Sequence, residues 1–399
     1  SDVCSSDLCN ILSYCHLADS RPQQALEVQQ RVSGVSLANR NLFVTVYRAF
    51  VMAQSYLRQG NLAEAERQAA RALRYAERHA GENASSGATL APILAEIAWE
   101  QGKGEQAQSL LVPRLETIDS FCPPDGLSRS YIVLARQARE TGRLAEAESL
   151  LLHAEGLAAQ RGWLRAQAPL LAERIAVALH AGDKQAAEAL LLRLQSLSQT
   201  ESVGGYIAIG QSRLLIAAGE PLAAARLLDT LAGVRESSGE RLFAVRLRLR
   251  QALALWRAGE RELAMAICRP ALARALHQGL WRSLLEGREE MAALLAEIHK
   301  RGAADDALTA DIAVLLSCFA AAGIVIDSAR PQPLALRLTE REQQTLSLIA
   351  DGYSNKGVAR ELGISAETVK WHLKQLYEKL QVKGRIQAVN QAREWRLLG

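Results

Sequence analysis

The chain has 399 residues, 49% hydrophobic and 23% charged, with 47 Lys+Arg against 43 Asp+Glu and a formal net charge of +4. It is long enough for two or more domains with sizeable cores, and its Leu- and Ala-rich, aromatic-poor composition favours helix throughout. Six irregularly spaced cysteines (Cys4, Cys9, Cys15, Cys122, Cys268, Cys318) without a C-x-x-C pair argue against a disulfide framework or a zinc site, and a cytoplasmic location is expected.

The chain opens without methionine and without a signal-peptide pattern. Its first eight residues have no usable periodicity. Residues 1–9 are therefore left unassigned, and the natural N-terminus is expected to lie upstream.

From residue 10 to residue 322 the sequence repeats. Gly60, Gly102, Gly142, Gly182, Gly219 and Gly259 are 42, 40, 40, 37 and 40 residues apart. Five residues after each comes an alanine: Ala65, Ala107, Ala147, Ala187, Ala224 and Ala264. Ser20 and Ala25 continue the register upstream. Glycine ends one helix of each pair and the small alanine lets the next approach it closely. Helix pairs at this period stack into a solenoid, because no single pair can bury its apolar face.

Four tryptophans fall in the repeats. Trp99 and Trp256 lie three residues before their glycine, where other repeats have Leu57, Leu179 and Ile216, so both read as core. Trp163 and Trp281 lie elsewhere and, with Arg139, are the expected effector contacts, since aromatic rings stack on small ligands. Arg139 occupies the position of Trp99 in its own repeat and is expected to snorkel outward.

No enzymatic grouping emerges. The seven histidines are scattered without a His-Glu-x-x-His, and acidic pairs such as Glu64 and Glu66 fall at helix starts, where the macrodipole favours them. The nearest approach to a phosphate loop, residues 205–212, has Gln211 where lysine is required and an apolar loop. No cofactor is expected in this chain, and ATP only if a nucleotide-binding module lies upstream. The longest apolar run, residues 312–326, is too short for a bilayer.

Residues 323–335, with Pro331 and Pro333, read as an inter-domain linker. A compact pattern occupies 336–399. Thr339 and Glu342 form a capping box for a helix ending at Asp351-Gly352; Ser354 caps a second, closed by Gly363; Ser365 caps a third, starting at Ala366. Two helices joined by a three-residue glycine turn have helix-turn-helix spacing. In the third helix Val369, Leu373, Leu376 and Leu380 share one stripe, within about 40° of one another. Lys370, Trp371 and Lys374 lie opposite, where they can reach base edges in the major groove. Two lysines alone would suit an ordinary solvated face. The charge distribution decides otherwise, since residues 331–399 hold 11 Lys+Arg against 7 Asp+Glu while the first 330 residues are balanced, 36 against 36.

These residues carry a family resemblance. Leu338-Thr339-Glu340-Arg341-Glu342, Gly352 to Lys356, Ile364-Ser365, Thr368-Val369-Lys370, His372, Lys379-Leu380 and Arg385 resemble the DNA-binding domain of the LuxR family of bacterial transcription regulators. The resemblance implies base reading by Lys370, Trp371 and Lys374. It also implies phosphate contacts from Ser354, Asn355, Lys356, Ser365, Thr368 and Arg385, and dimerisation through a fourth helix from about residue 385. Gly357 and Gly384 depart from the family pattern, which usually has an acid and a serine cap there. The repeats resemble the tetratricopeptide repeat with a period longer than 34 residues. Together the order resembles MalT-like regulators, without their N-terminal nucleotide-binding module.

The expected fold is all-α, a TPR-like solenoid followed by a four-helix LuxR-type domain. The expected function is a transcription regulator acting on double-stranded DNA as a homodimer, contacting RNA polymerase, and answering a small-molecule or protein effector on the repeats, with no enzymatic activity and no membrane partner. The competing reading is a TPR-like interaction scaffold whose terminal bundle docks or dimerises without binding DNA.

Overall fold

The computed structural model describes residues 2–31, 42–81, 84–197, 201–284, 287–301, 306–321, 340–380, 382 and 384–394. The chain divides into two compact units, Ser1–Asp327 and Ser328–Gly399. Every regular element among the described residues is helical. Residues 323–335 and Thr339 lie outside the described residues, so the expected linker and first cap have no structural account.

The repeat unit follows the glycine register. Its six glycines have φ between +76° and +83°, a left-handed conformation that only glycine adopts without a Cβ penalty. Each closes a Schellman turn in which an N–H reaches back across six residues, as from Arg143 to the Ala138 carbonyl at 2.8 Å and from Asp183 to Ala178 at 2.9 Å. The six alanines that follow are fully buried, as is Ala25. Ser20 holds the same turn with φ +57°, the one positive φ outside glycine among the described residues.

The long period comes from helix length. Pro124–Glu140, Leu144–Gln160 and Leu164–His180 each span 17 residues, joined by three-residue turns, so two helices and two turns fill forty residues. A second glycine series, Gly162, Gly239 and Gly279, ends the other helix of its pair with φ of +68°, +83° and +72°. That half-period series was not part of the sequence reading. One pair is irregular: after Gly104–Leu111 a 3-10 turn at Val112–Arg114, containing Pro113, breaks the second helix before Leu115–Phe121. The segment set aside at the N-terminus is helical from Asp2 to Ala18 and joins the first pair. No helix among the described residues is long and apolar enough to cross a membrane.

The C-terminal unit has four helices, Glu340–Ala350, Asn355–Leu362, Ala366–Leu380 and Arg385–Glu394. Leu346, Ile349, Val358, Val369, Leu373, Leu376, Ala388 and Ala392 form its core. Gly352 and Gly363, at φ +88° and +65°, close the first two helices.

Candidate functional site

The third helix of the C-terminal unit is built as an amphipathic rod. Val369, Leu373 and Leu376 are buried against the other helices, which turns Lys370, Trp371 and Lys374 outward to solvent. Trp371 is 58% exposed, unusual for a large ring in a small domain. Its neighbour His372 meets it edge-on, with ring centroids 5.0 Å apart. Lys370 Nζ lies 2.8 Å from the Glu367 carboxylate, both side chains well exposed.

Helix starts frame this face. The Ser354 hydroxyl accepts from the Gly357 N–H at 3.3 Å, and the Ser365 hydroxyl accepts from the Thr368 N–H at 3.1 Å while sharing a 2.8 Å hydrogen bond with the Thr368 hydroxyl. Each cap therefore uses one N–H of its own first turn, leaving the amides of Asn355, Lys356, Ala366 and Glu367 toward the helix N-termini. Lys356 is exposed and Asn355 half-buried. Arg385 stands apart from the rest of the expected phosphate set: its guanidinium donates to the Ile349 carbonyl at 3.0 Å and to the Tyr353 carbonyl. It ties the fourth helix to the C-terminal end of the first. Gly357 has a packing reason, since an added Cβ would come within 3.2 Å of the Tyr353 ring.

The repeat unit encloses a cavity of about 1050 Å³. Its wall explains the register position three residues before the glycine. Leu57, Trp99, Arg139, Leu179 and Ile216 all line the cavity, so this is a lumen position as much as a core one. Arg139 accordingly turns inward instead of snorkelling out, its Nη1 2.7 Å from the Glu173 carboxylate. Trp99 is buried, with the Arg282 guanidinium 4.4 Å above its ring. Trp256, expected in the core, is half-buried under Arg261 at 4.1 Å.

Of the three expected effector contacts only Arg139 lines this cavity. Trp163 instead packs at a helix start against the core with Arg161 4.8 Å above its ring, and Trp281 opens a short helix whose next two residues, Arg282 and Ser283, face the lumen in its place. The segment weighed as a phosphate loop is helical within Glu201–Ala217, and Gly205 there leaves room for the Arg235 guanidinium, which an added Cβ would approach within 2.4 Å.

Charge on this wall is the feature sequence reading missed. Eleven arginines, eight carboxylates and no lysine line the cavity. They pair across long sequence distances: Arg246 with Glu96 and Glu100, each at 2.9 Å, Arg58 with Glu240 at 3.1 Å, and Arg282 with Glu140 at 2.7 Å. Burial alone would raise the Glu173 carboxyl, yet Arg136, Arg139 and Arg213 hold it well below the usual carboxylate range. Asp125 is likewise held down, against the effect of burial, by Arg165, Arg58 and Arg129.

Comparison with known proteins agrees with both units. Residues 9–301 match the MalT-like TPR region, and residues 336–392 match the luxR family of bacterial regulatory proteins. The HTH-type transcriptional regulator MalT of Serratia proteamaculans (strain 568) is 51% identical over 57 residues, 14% of this chain and 6% of that protein. The regulator of the same description from Yersinia pestis (strain Pestoides F) is 53% identical over 55 residues, again 14% and 6%. The similarity thus spans about 6% of the length of these curated relatives.

Proposed function

Since the chain belongs to the MalT-like, luxR-type family of bacterial transcription regulators, we propose that its C-terminal unit reads the DNA major groove while its repeat unit senses an effector. Lys370, Trp371 and Lys374 are the base-reading residues. Lysine donors and an indole edge on a solvent-facing helix match the acceptors and the thymine methyl displayed in that groove. Ser354, Asn355, Lys356, Ser365 and Thr368 place the two helix N-termini on phosphates, where free amides and the helix dipole favour an anion. Arg385 can reach a phosphate only with the N–H groups left over from its two carbonyl bonds.

The observation that carries this reading is the exposure of Trp371 between two exposed lysines, directly opposite the buried Val369, Leu373 and Leu376. A docking bundle would bury such a ring, whereas a groove reader must present it. Two copies joined through Arg385–Glu394 would read an inverted repeat with half-sites about one helical turn apart. The functional division runs with residues 10–322 as sensor, 323–335 as linker and 336–399 as the DNA-binding domain, acting in the cytoplasm and contacting RNA polymerase.

The test is duplex binding by the whole chain, footprinted and titrated against salt. Lys370→Ala and Lys374→Ala should abolish sequence preference, and each lost phosphate or base-edge charge should flatten the salt dependence. Identical footprints at identical affinity and salt would show that these residues are not the readers.

A further inference from the structure

The cavity in the repeat unit has a charge problem that its own side chains do not solve. Around Glu173 the guanidiniums of Arg136 at 3.0 Å, Arg139 at 2.7 Å and Arg213 at 3.6 Å converge on one carboxylate. Beside them Arg129 and Arg246 share Glu96, with Glu100 as the second partner of Arg246. Arg136 stands near enough to Arg246 to oppose its charge. Five guanidiniums thus face three carboxylates on one stretch of wall, and the whole lumen has three more arginines than acids. Like charges about 4 Å apart in a partly desolvated site oppose each other by roughly 4 kcal/mol, so a surplus of this kind favours any anion that can enter.

The type of cation narrows the ligand. Every basic residue of this wall apart from His180 is arginine, whose planar fork grips phosphate and carboxylate oxygens in pairs, whereas lysine offers a point charge. Around the same space Trp99, Ile132, Ile209, Ile216 and Phe243 supply apolar wall for an organic body. A volume of about 1050 Å³ is ample for a small metabolite.

We propose that the repeat unit binds a small organic polyanion, bearing a phosphate or paired carboxylates, in this lumen, with Arg136, Arg139 and Arg213 gripping the anionic group. The inference rests on the reading of the repeats as the sensor and assigns that sensor its ligand class. Binding would neutralise the surplus charge and draw together helices from distant repeats, since Arg139 and Arg213 come from Pro124–Glu140 and Glu201–Ala217.

The experiment is calorimetric titration of the whole chain with glucose 6-phosphate, citrate, inorganic pyrophosphate and uncharged glucose. At least one of the three anions should bind and raise the melting temperature, while glucose should do neither. A response to pyrophosphate and glucose 6-phosphate marks a phosphate site, and a response to citrate a carboxylate site. Arg139→Gln should weaken the anion tenfold or more, Arg139→Lys severalfold, and Arg301→Gln on the exposed outer surface not at all. The lysine variant keeps the comparison valid if the glutamine variant fails to fold. Absence of binding by every anion, or equal binding by wild type and the Arg139 variants, overturns the proposal. Duplex binding measured on the same samples separates the two readings: salt-dependent duplex binding without anion binding removes the polyanion site alone, and anion binding without duplex binding removes the regulator reading alone.

Discussion

Arg235 donates from Nη1 to the hydroxyl of Ser20 at 3.0 Å, joining residues 215 positions apart. The bond explains why serine occupies a left-handed turn position that is glycine in the later repeats. Arg58 reinforces the same junction by donating to the Leu17 carbonyl at 2.7 Å and to Glu240 at 3.1 Å. The first helix pair is thereby clasped to the turn after Pro221–Ser237, and the lumen is closed on that side.

Two substitutions at Ser20 separate backbone strain from this hydrogen bond. Ser20→Ala keeps the left-handed cost and loses the bond, so it should destabilise the repeat unit by about 1.5–3 kcal/mol, the range for a hydrogen bond to a charged group. Ser20→Gly loses the same bond but relieves roughly 1 kcal/mol of left-handed strain. Chemical denaturation of the whole chain should therefore rank wild type above Ser20→Gly and Ser20→Ala last. An alanine variant as stable as the glycine variant would mean that the turn carries no strain.

Acid should loosen the repeat unit through Glu96. Burial alone would raise its carboxyl, but Arg129 and Arg246 bring it down from 4.5 to about 2. A folded value below the unfolded one contributes stability that is fully present above about pH 4.5 and is lost as pH falls toward 2, amounting to about 3 kcal/mol. Glu173 and Asp125 are shifted in the same direction, so their losses fall in the acid range as well. Denaturation midpoints measured across that range should fall steeply for wild type and less steeply for Glu96→Gln. Parallel curves would show that Glu96 has an ordinary carboxyl in the folded chain.

The sequence made some of this architecture readable and hid the rest for identifiable reasons. The Gly-x-x-x-x-Ala register was readable because a positive φ and a close helix approach each admit few residue types, and that held from Gly60 to Ala264. Gly162, Gly239 and Gly279 were equally available at twenty-residue spacing but lacked the following alanine that drew attention to the first series. The lumen was hidden, because a helix position facing a polar cavity alternates between Leu57, Trp99 and Arg139, and no periodicity separates it from the core. Pairings such as Arg246 with Glu96, 150 positions apart, depend on how the repeats curl. One compositional signal was present: before residue 330 the only lysines are Lys103, Lys184 and Lys300, among 36 basic residues. In the C-terminal unit the apolar stripe and the serine caps were local features and therefore readable, whereas the partners of Arg385 lie on other segments.

Arg385 should matter for folding before it matters for DNA. Its guanidinium satisfies carbonyls at the end of Glu340–Ala350, and removing a charged donor from partly buried acceptors costs about 1–3 kcal/mol. Arg385→Ala should lower the melting temperature of the C-terminal unit and weaken all duplexes about equally, because the base-reading face is unchanged. Unchanged stability with a selective loss of duplex binding would instead assign Arg385 to a phosphate.

Glu367 offers the sharpest test of the groove-reading face, because it restrains one of the readers. Its carboxylate holds Lys370 Nζ at 2.8 Å, and both groups are exposed. An exposed pair of this spacing adds little to stability, at most a few tenths of a kcal/mol. On DNA the same carboxylate acts against binding, since it lies in the first turn of the reading helix and would approach the phosphates with like charge. Glu367→Gln should leave the melting temperature unchanged, tighten binding to all duplexes, and steepen the salt dependence as Lys370 becomes available to displace a counterion. The gain should be larger on unrelated sequence than on the operator, because an unrestrained lysine finds phosphates more readily than base edges. If the variant binds more weakly and only the operator suffers, the carboxylate is itself a base contact, accepting from a cytosine amino group, and the list of readers must be extended to include it.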